Sequence, residues 1–317
     1  MSKLSIIVPV YYNEDTLELL YEDLKKKVLG KLDEYEIVFV DDGSGDNSFQ
    51  VMNSLRERDS HIKCVKLSRN FGEHAALLAG LSSCTGDCAV TKQADLQEDS
   101  GIILEMYESW KRGNKVVLAV RKERKENPIK VFCANLYYSL IRKMVNKNMP
   151  SGGCDCYLVD RKVIQVLELL DEKNSSLTLQ VLWAGFRTDK IYFVRQEREI
   201  GKSRWTLSKK IKLVFDSVMS FSYFPLRFMS GLGIVFNILA LILLISVFVE
   251  KATIGTPIAG WASLMCVILC ASGLIMLMLG ILGEYIWRTL DAARTRPPFI
   301  IDEILESREE KENHAKE

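Results

Sequence analysis

Two apolar runs in the C-terminal third, Phe228 to Val249 and Trp261 to Trp287, constrain this chain more than any other feature. Each is long enough to cross a hydrocarbon core, which takes about 20 residues of helix. Their tandem spacing makes a pair of buried globular helices the weaker assignment. The connector Glu250 to Gly260 holds one acid and one base, whereas Arg227 precedes the first run and Arg288, Arg294 and Arg296 follow the second. That arginine asymmetry predicts that both ends of the pair face the cytoplasm. A chain of 317 residues leaves room for a full α/β domain ahead of the runs.

The N-terminal part alternates short apolar runs with helical patterns. Leu4 to Val10 is a short apolar run ending at Pro9-Val10-Tyr11-Tyr12-Asn13-Glu14, which reads as a buried strand rather than a signal peptide. Leu17, Leu20, Leu24 and Val28 share one face of a helix spanning about Thr16 to Leu29, and Glu36 to Val40 is the second strand, ending in Asp41-Asp42-Gly43-Ser44. A helix over Ser48 to Arg58, a strand over Lys63 to Leu67, a helix over Glu73 to Leu81 and a strand over Cys88 to Thr91 repeat the pattern. Such alternation predicts a mainly parallel sheet with helices on both faces. Ligands of such sheets sit beyond the carboxyl ends of the strands, where Tyr11 to Glu14, Asp41 to Ser44 and Gln93 to Gln97 all fall.

The segment VTKQADLQED, from Val90 to Asp99, carries the chemistry. Asp95 and Gln97 are two apart, so in an extended segment both face one side, and their oxygens suit a hard cation such as Mg²⁺ or Mn²⁺. With the acidic turn VDDGSGDNS at the end of a neighbouring strand-like run, they suggest a pocket for a nucleotide and its metal. A divalent ion stabilises a departing nucleoside diphosphate, so sugar transfer from a nucleotide sugar is the leading expectation. The balance of 42 basic against 41 acidic residues argues against a nucleic-acid binder. Of the eight cysteines, the close pairs Cys84 and Cys88, Cys154 and Cys156, and Cys266 and Cys270 lack Cys-x-x-Cys spacing, so buried free thiols are expected. His61, His74 and His314 are too few and too scattered for a histidine zinc site or a Ser-His-Asp triad; His74, in FGEHAALLAG, reads as a helix start.

Between the domain and the apolar runs, Leu207, Ile211, Val214, Phe215 and Val218 recur at helical spacing, with Lys209, Lys210 and Lys212 on other faces. This is the pattern of a helix lying among lipid headgroups, the alternative being a helix packed on the domain. Beyond Pro297-Pro298 the chain ends in REEKENHAKE, too polar to fold alone, and a solvated tail is expected. The expected organisation is therefore a catalytic domain over 1–205, an amphipathic juxtamembrane region over 206–227, transmembrane helices over 228–249 and 261–287, and a cytoplasmic tail over 288–317.

SIIVPVYYNE, VFVDDGSGDNS, LSRNFGEHAALLAGL, ADLQED and REIGKSRWTLSKKIKL, in that order, resemble the inverting family 2 glycosyltransferases that load a sugar onto a polyprenyl phosphate. With two C-terminal spans the chain is most similar to the bacterial bactoprenol glycosyltransferases, relatives of dolichyl-phosphate mannose synthase. DDGS alone is weakly specific; RNFG followed by DLQ, then Gly-x-Ser and a two-span end, is much more so. The resemblance implies a GT-A fold, Rossmann-like with a mainly parallel sheet. It implies that Pro9, Tyr11 and Glu14 line the base and ribose, that Asp42 binds one of them with Asp41 beside it, and that Gln93 contacts the donor. Asp95 and Gln97 would hold Mg²⁺ or Mn²⁺, and Asp155, in SGGCDCYLVDR, would join Asp95 in catalysis as the acceptor-side carboxylate, either base or orienter. Arg121, Arg198, Lys202 and Arg204 are candidates to neutralise the donor diphosphate and the lipid phosphate.

The implied partners are a nucleotide sugar, with UDP favoured, a polyprenyl phosphate such as undecaprenyl phosphate, and the inner membrane, which the chain would cross twice with its catalytic domain in the cytoplasm. Gly231, Gly233, Gly273, Gly280 and Gly283 would let spans pack closely in a homo-oligomer. Two departures stand out. Gln93-Ala94-Asp95-Leu96-Gln97 replaces the family's Asp-x-Asp-x-Gln, and Asp155-Cys156-Tyr157-Leu158 replaces Asp-x-Arg-Leu. A processive polysaccharide synthase would carry Gln-x-x-Arg-Trp, but Gly201 stands where that glutamine is required before Arg204-Trp205. An inactive membrane scaffold, suggested by Gln93, sits poorly with the joint presence of Asp42, Asp95, Gln97 and Asp155. A transporter sits worse, because the middles of the two runs hold no Asp, Lys or Arg.

Overall fold

The computed structural model describes residues 2–122, 138–139, 141–143, 147, 149–150, 153–170, 176–194, 224–253 and 260–307. The chain divides into two compact units, one made of Met1–Ser217 together with Pro297–Glu317, the other of Val218–Arg296. In the first unit the elements run β1 (Lys3–Val10), α1 (Leu17–Lys27), β2 (Glu34–Asp41), α2 (Ser48–Arg58), β3 (Ile62–Leu67), α3 (Glu73–Ser83), β4 (Cys88–Thr91), α4 (Ile102–Lys111), β5 (Val116–Arg121), β6 (Cys154–Asp160), α5 (Arg161–Leu169), α6 (Leu177–Trp183) and β7 (Thr188–Phe193). The second unit holds α7 (Phe224–Thr253) and α8 (Trp261–Ala293), and β8 (Ile301–Leu305) returns to the first.

The eight strands form one sheet in the order β7-β5-β6-β4-β1-β2-β3-β8. β1 pairs in parallel with β2 and β4, β2 with β3, and β5 with β7, while β6 is antiparallel to β4 and β5, and β8 to β3. β1 is buried from Leu4 to Val10, as a central strand covered on both faces must be. Leu4, Ile6, Val8 and Val10 join Leu17, Leu20 and Leu24 of α1, Met52 and Leu55 of α2, and Ile103 and Met106 of α4 in one core. On the opposite face α3 lies so close that a Cβ on Gly80 would sit 2.3 Å from Ile7 Cγ2, so only glycine fits there. The α/β, mainly parallel architecture is thus the one the strand and helix patterns lead to, with boundaries shifted by a residue or two, and it agrees with the GT-A fold that the resemblance implies.

Several expectations need correction. The two acidic turns do not end adjacent strands, because β1 lies between β2 and β4. The tail does not leave the domain at Pro297. Residues Ile301–Leu305 pair with β3 from Cys64 to Leu67, Ser68 N–H donates to the Ile300 carbonyl at 3.0 Å, and Arg56 Nη1 donates to the Glu306 carbonyl at 3.1 Å. An edge strand with unpaired amides is a template for any extended segment, and Leu305 packs against the core. REEKENHAKE itself lies outside the described residues, as does the amphipathic stretch from 206 to 223.

Both apolar runs are helical, within α7 and α8. Among the described residues one helix, Cys270–Ala293 (24 residues), is long and apolar enough to cross a membrane, and Leu226–Ile242 is a shorter apolar stretch. By length and composition the structure therefore supports one span where two were expected. Cys64, Cys84, Cys88, Cys154 and Cys156 are buried free thiols, as expected, and burial pushes their pKa values up, whereas Cys270 on α8 is a free thiol but exposed, against the expectation.

Candidate active site

Strand polarity gathers the candidate residues. β1, β2, β4 and β5 run the same way, so Val10, Asp41, Thr91 and Arg121 end on one rim, and antiparallel β6 starts there. Asp155 sits near that start, where the β5–β6 register slips between Ala119 and Val120 and leaves it as the extra residue of a bulge.

Asp41 closes β2 and is fully buried. Its Oδ1 accepts the Ser44 N–H at 3.1 Å, while Oδ2 has no hydrogen-bond partner among the described residues. Burial, the largest influence, raises its pKa above the usual carboxylate value. Asp42 is used differently. Its two oxygens accept the N–H groups of Phe71 at 2.7 Å and Gly72 at 2.9 Å, so it fastens the Arg69–Gly72 loop to the end of β2. Burial pushes Asp42 up to about 6 against the pull of those two donors. The two loops approach so closely that a Cβ on Gly43, whose φ is +69°, would lie 2.6 Å from the Arg69 carbonyl carbon. Asp42 thus has both oxygens engaged by backbone amides, whereas Asp41 keeps one buried oxygen without a hydrogen-bond partner among the described residues.

The Tyr11–Glu14 loop is tied to the same turn. Tyr12, with φ 56°, donates its N–H to Ser44 Oγ at 3.0 Å, Asn13 N–H bonds Ser48 Oγ at 2.9 Å, and Glu14 Oε2 accepts the Asn47 N–H at 2.8 Å. Glu14 is thus a strut between loops. Pro9 is buried inside β1 opposite Val40, one residue before the strand ends at Val10. The rings of Tyr11 and Tyr12 meet edge to face at 4.8 Å, and Tyr12, passed over in the sequence, is 40% exposed.

The Gln93–Gln97 loop is a turn and not the extended segment expected. Leu96 has φ 57°, and Asp95 Oδ1 accepts the Gln97 backbone N–H at 3.2 Å, so the segment folds back as a local Asp turn. Gln93 Nε2 donates to Glu73 Oε1 at 2.6 Å, which ties the loop to the start of α3. Glu98 is buried, and its carbonyl accepts from the Lys92 ammonium. Asp99 accepts the Gly101 N–H at 3.2 Å just ahead of α4.

Among the described residues no group of three or more His, Cys, Asp or Glu side chains comes together to hold a metal. A carboxylate and an amide carbonyl are hard oxygen donors, so Asp95 and Gln97 fit a Mg²⁺ or Mn²⁺ ion that takes its other oxygens from a diphosphate and water. Arg121 ends β5 half-buried. Tyr157, standing where the family has arginine, is fully buried with its N–H on Thr91 Oγ1 at 3.1 Å, so it makes no phosphate contact. Arg198, Lys202 and Arg204 lie outside the described residues. Arg69 was not singled out in the sequence. It is exposed, its guanidinium lies 4.1 Å from the centre of the Phe71 ring, and its charge reaches Asp42. The signal for it lay in the RNFG motif.

The model of the family described as "Glycosyl transferase family 2" matches residues 5–168. The "Uncharacterized glycosyltransferase YkcC" of Bacillus subtilis (strain 168) is 37% identical over 298 residues, covering 94% of this chain and 92% of that protein. The "Prophage bactoprenol glucosyl transferase homolog" of Escherichia coli (strain K12) is 33% identical over 303 residues, 95% of this chain and 99% of that one. The "Bactoprenol glucosyl transferase" of Shigella phage SfV is 32% identical over 300 residues, 94% and 98% respectively.

Proposed function

This chain belongs to glycosyl transferase family 2 and is a glycosyltransferase, and from that premise we propose that it transfers a monosaccharide from a nucleotide sugar to a polyprenyl phosphate at a membrane surface, with inversion. The observation that carries the donor half is the buried Asp41 Oδ2 at the end of β2, a carboxylate oxygen with no hydrogen-bond partner among the described residues, which suits a ribose hydroxyl or a base N–H. The relatives named for bactoprenol, similar over nearly the whole chain, support the acceptor half. The apolar helix Cys270–Ala293 supports a membrane location.

In the reaction a lipid phosphate oxygen attacks the anomeric carbon from the face opposite the leaving group. The bond from that carbon to the diphosphate oxygen breaks, and the electron pair leaves with the nucleoside diphosphate. Mg²⁺ or Mn²⁺ held by Asp95 and Gln97 would neutralise the charge developing on the diphosphate. Arg121, Arg198, Lys202 and Arg204 are the cations for the two phosphates, and Asp155 orients the acceptor. A phosphate monoester is already largely ionised at neutral pH, so orientation rather than proton removal is the demand on Asp155.

Purified full-length protein in membranes, given labelled nucleotide sugars with and without undecaprenyl phosphate, should form a lipid-linked monosaccharide only when both are present. The Asp95→Ala variant should lose at least about 100-fold in kcat, as expected when the carboxylate at a metal-assisted leaving group is removed. A long polymer would point to a processive synthase, and no product from any donor would point to an inactive scaffold.

A further inference from the structure

Lys92 lies directly before the Gln93–Gln97 loop, its side chain is 0% exposed, and no function considered so far uses it. Its backbone N–H donates to the Ile7 carbonyl at 2.9 Å, which extends the β1–β4 pairing by one residue. Its ammonium donates to the Glu98 carbonyl and faces the Glu98 carboxylate, itself 4% exposed, at 3.9 Å. One residue therefore grips both ends of the loop that carries Asp95 and Gln97. Just beyond, Lys27 of α1 holds Asp99 at 2.8 Å and Asp23 at 2.8 Å, which pins the exit of the loop to a helix. A buried charge inserted at the end of an apolar strand needs compensation, and here its hydrogen bond goes to the end of the loop, with the Asp23 and Asp99 carboxylates adding charge nearby.

We propose that Lys92 is a positioning residue: its buried ammonium, held on the Glu98 carbonyl and opposite the Glu98 carboxylate, closes the Gln93–Gln97 loop so that Asp95 and Gln97 are preset to meet a divalent cation and the donor diphosphate. This rests on the assignment of Asp95 to the metal. The turn at Leu96, with its left-handed φ, and the Asp95–Gln97 hydrogen bond are local and weak by themselves. Closing the loop from beneath removes conformations that binding would otherwise have to exclude. Because the Lys92 side chain is enclosed, it acts through the loop and does not touch the substrate.

The test uses the full-length protein in nanodiscs, with Lys92→Met, Glu98→Gln and the double variant. In Lys92→Met, without ion or nucleotide, amides of residues 93–98 should exchange at least about tenfold faster while those of β1 and β2 keep their rates. UDP and GDP serve as probes of donor binding. Affinity of the nucleotide that the parent binds should fall about tenfold with Mg²⁺ or Mn²⁺ present and change less than about twofold in chelator. The double variant removes both buried charges, so it should regain thermal stability while ion-dependent affinity stays low, because the bond to the Glu98 carbonyl is still missing. Recovery of both together would reduce the pair to a stability element and overturn the inference, as would unchanged exchange in Lys92→Met. A parent whose affinity for both nucleotides ignores chelator would instead overturn the metal assignment of Asp95, and this inference with it.

Discussion

Asp41 and Asp42 are identical in type and adjacent, yet burial and partners give them separate tasks. Asp42 spends its carboxylate on the amides of Phe71 and Gly72, and Asp41 keeps one oxygen open. Desolvation is the main reason Asp42 rises from 3.8 to about 6. Because the folded chain then holds that proton more tightly than the unfolded one, the contribution of Asp42 to stability is complete below 3.8 and is lost as pH rises through about 6. Function runs the other way, since a protonated carboxyl accepts poorly from two amides and lets the Arg69–Gly72 loop loosen. Donor affinity of the parent should therefore fall as pH drops through about 6, and in Asp42→Asn, weaker throughout, that limb should vanish. Titration of nucleotide binding between pH 5 and 8 checks this; a limb that persists in the variant assigns it to another group. The motif DDGS identified the pair from sequence, but which member stays open depends on amides some thirty residues further along the chain.

At the scale of elements, the least anticipated is β8. IDEIL is five residues long with two adjacent acids at its centre, so nothing in its periodicity marks it as part of a sheet, and its partner strand lies over two hundred residues earlier. What recruits it is the open side of β3, to which it adds a ladder from Cys64 to Leu67, a Lys66–Asp302 contact at 3.9 Å and the packing of Leu305. Ending the chain after Arg296 should lower stability by about 2 kcal/mol, judged from one partly buried leucine and a few cross-strand pairs. It should also raise self-association through the uncovered edge. Thermal melting and light scattering of the truncated protein would test this; an unchanged midpoint with a monodisperse sample would show that β8 is dispensable.

Connectivity constrains the whole molecule. The unit built from Met1–Ser217 also contains Pro297–Glu317, so the chain leaves it before α7 and rejoins it after α8. Segments paired in one sheet lie on one side of a bilayer, hence the number of crossings between them is even. If α8 crosses, a second crossing has to come from the α7 region. Under the proposed membrane location, the arginines at 227, 288, 294 and 296 lead to the expectation that the sheet faces the cytoplasm. Single cysteines introduced at Glu18 and Glu303 should be shielded from an impermeant reagent in intact cells, and one at Thr256 should be labelled. Labelling at Glu303 with Glu18 shielded would contradict the pairing of β8 with β3.

The sequence by itself determined the strand and helix succession of the first half, the two apolar helices, the free thiols and the rim on which the acidic turns would fall. These follow from local periodicity and from the direction of parallel strands, which need only neighbouring residues to be read. Tertiary structure alone decided that Asp41 keeps an unpartnered oxygen while Asp42 holds two amides, that Glu14 braces a loop, that Pro9 and Tyr157 are interior, that Lys92 and Glu98 meet across the Gln93–Gln97 loop, and that residues 301–305 add a strand to the sheet. Each of these depends on which distant donor or strand edge reaches a group first, and hydrogen bonds and burial between remote segments leave no periodic trace in the chain.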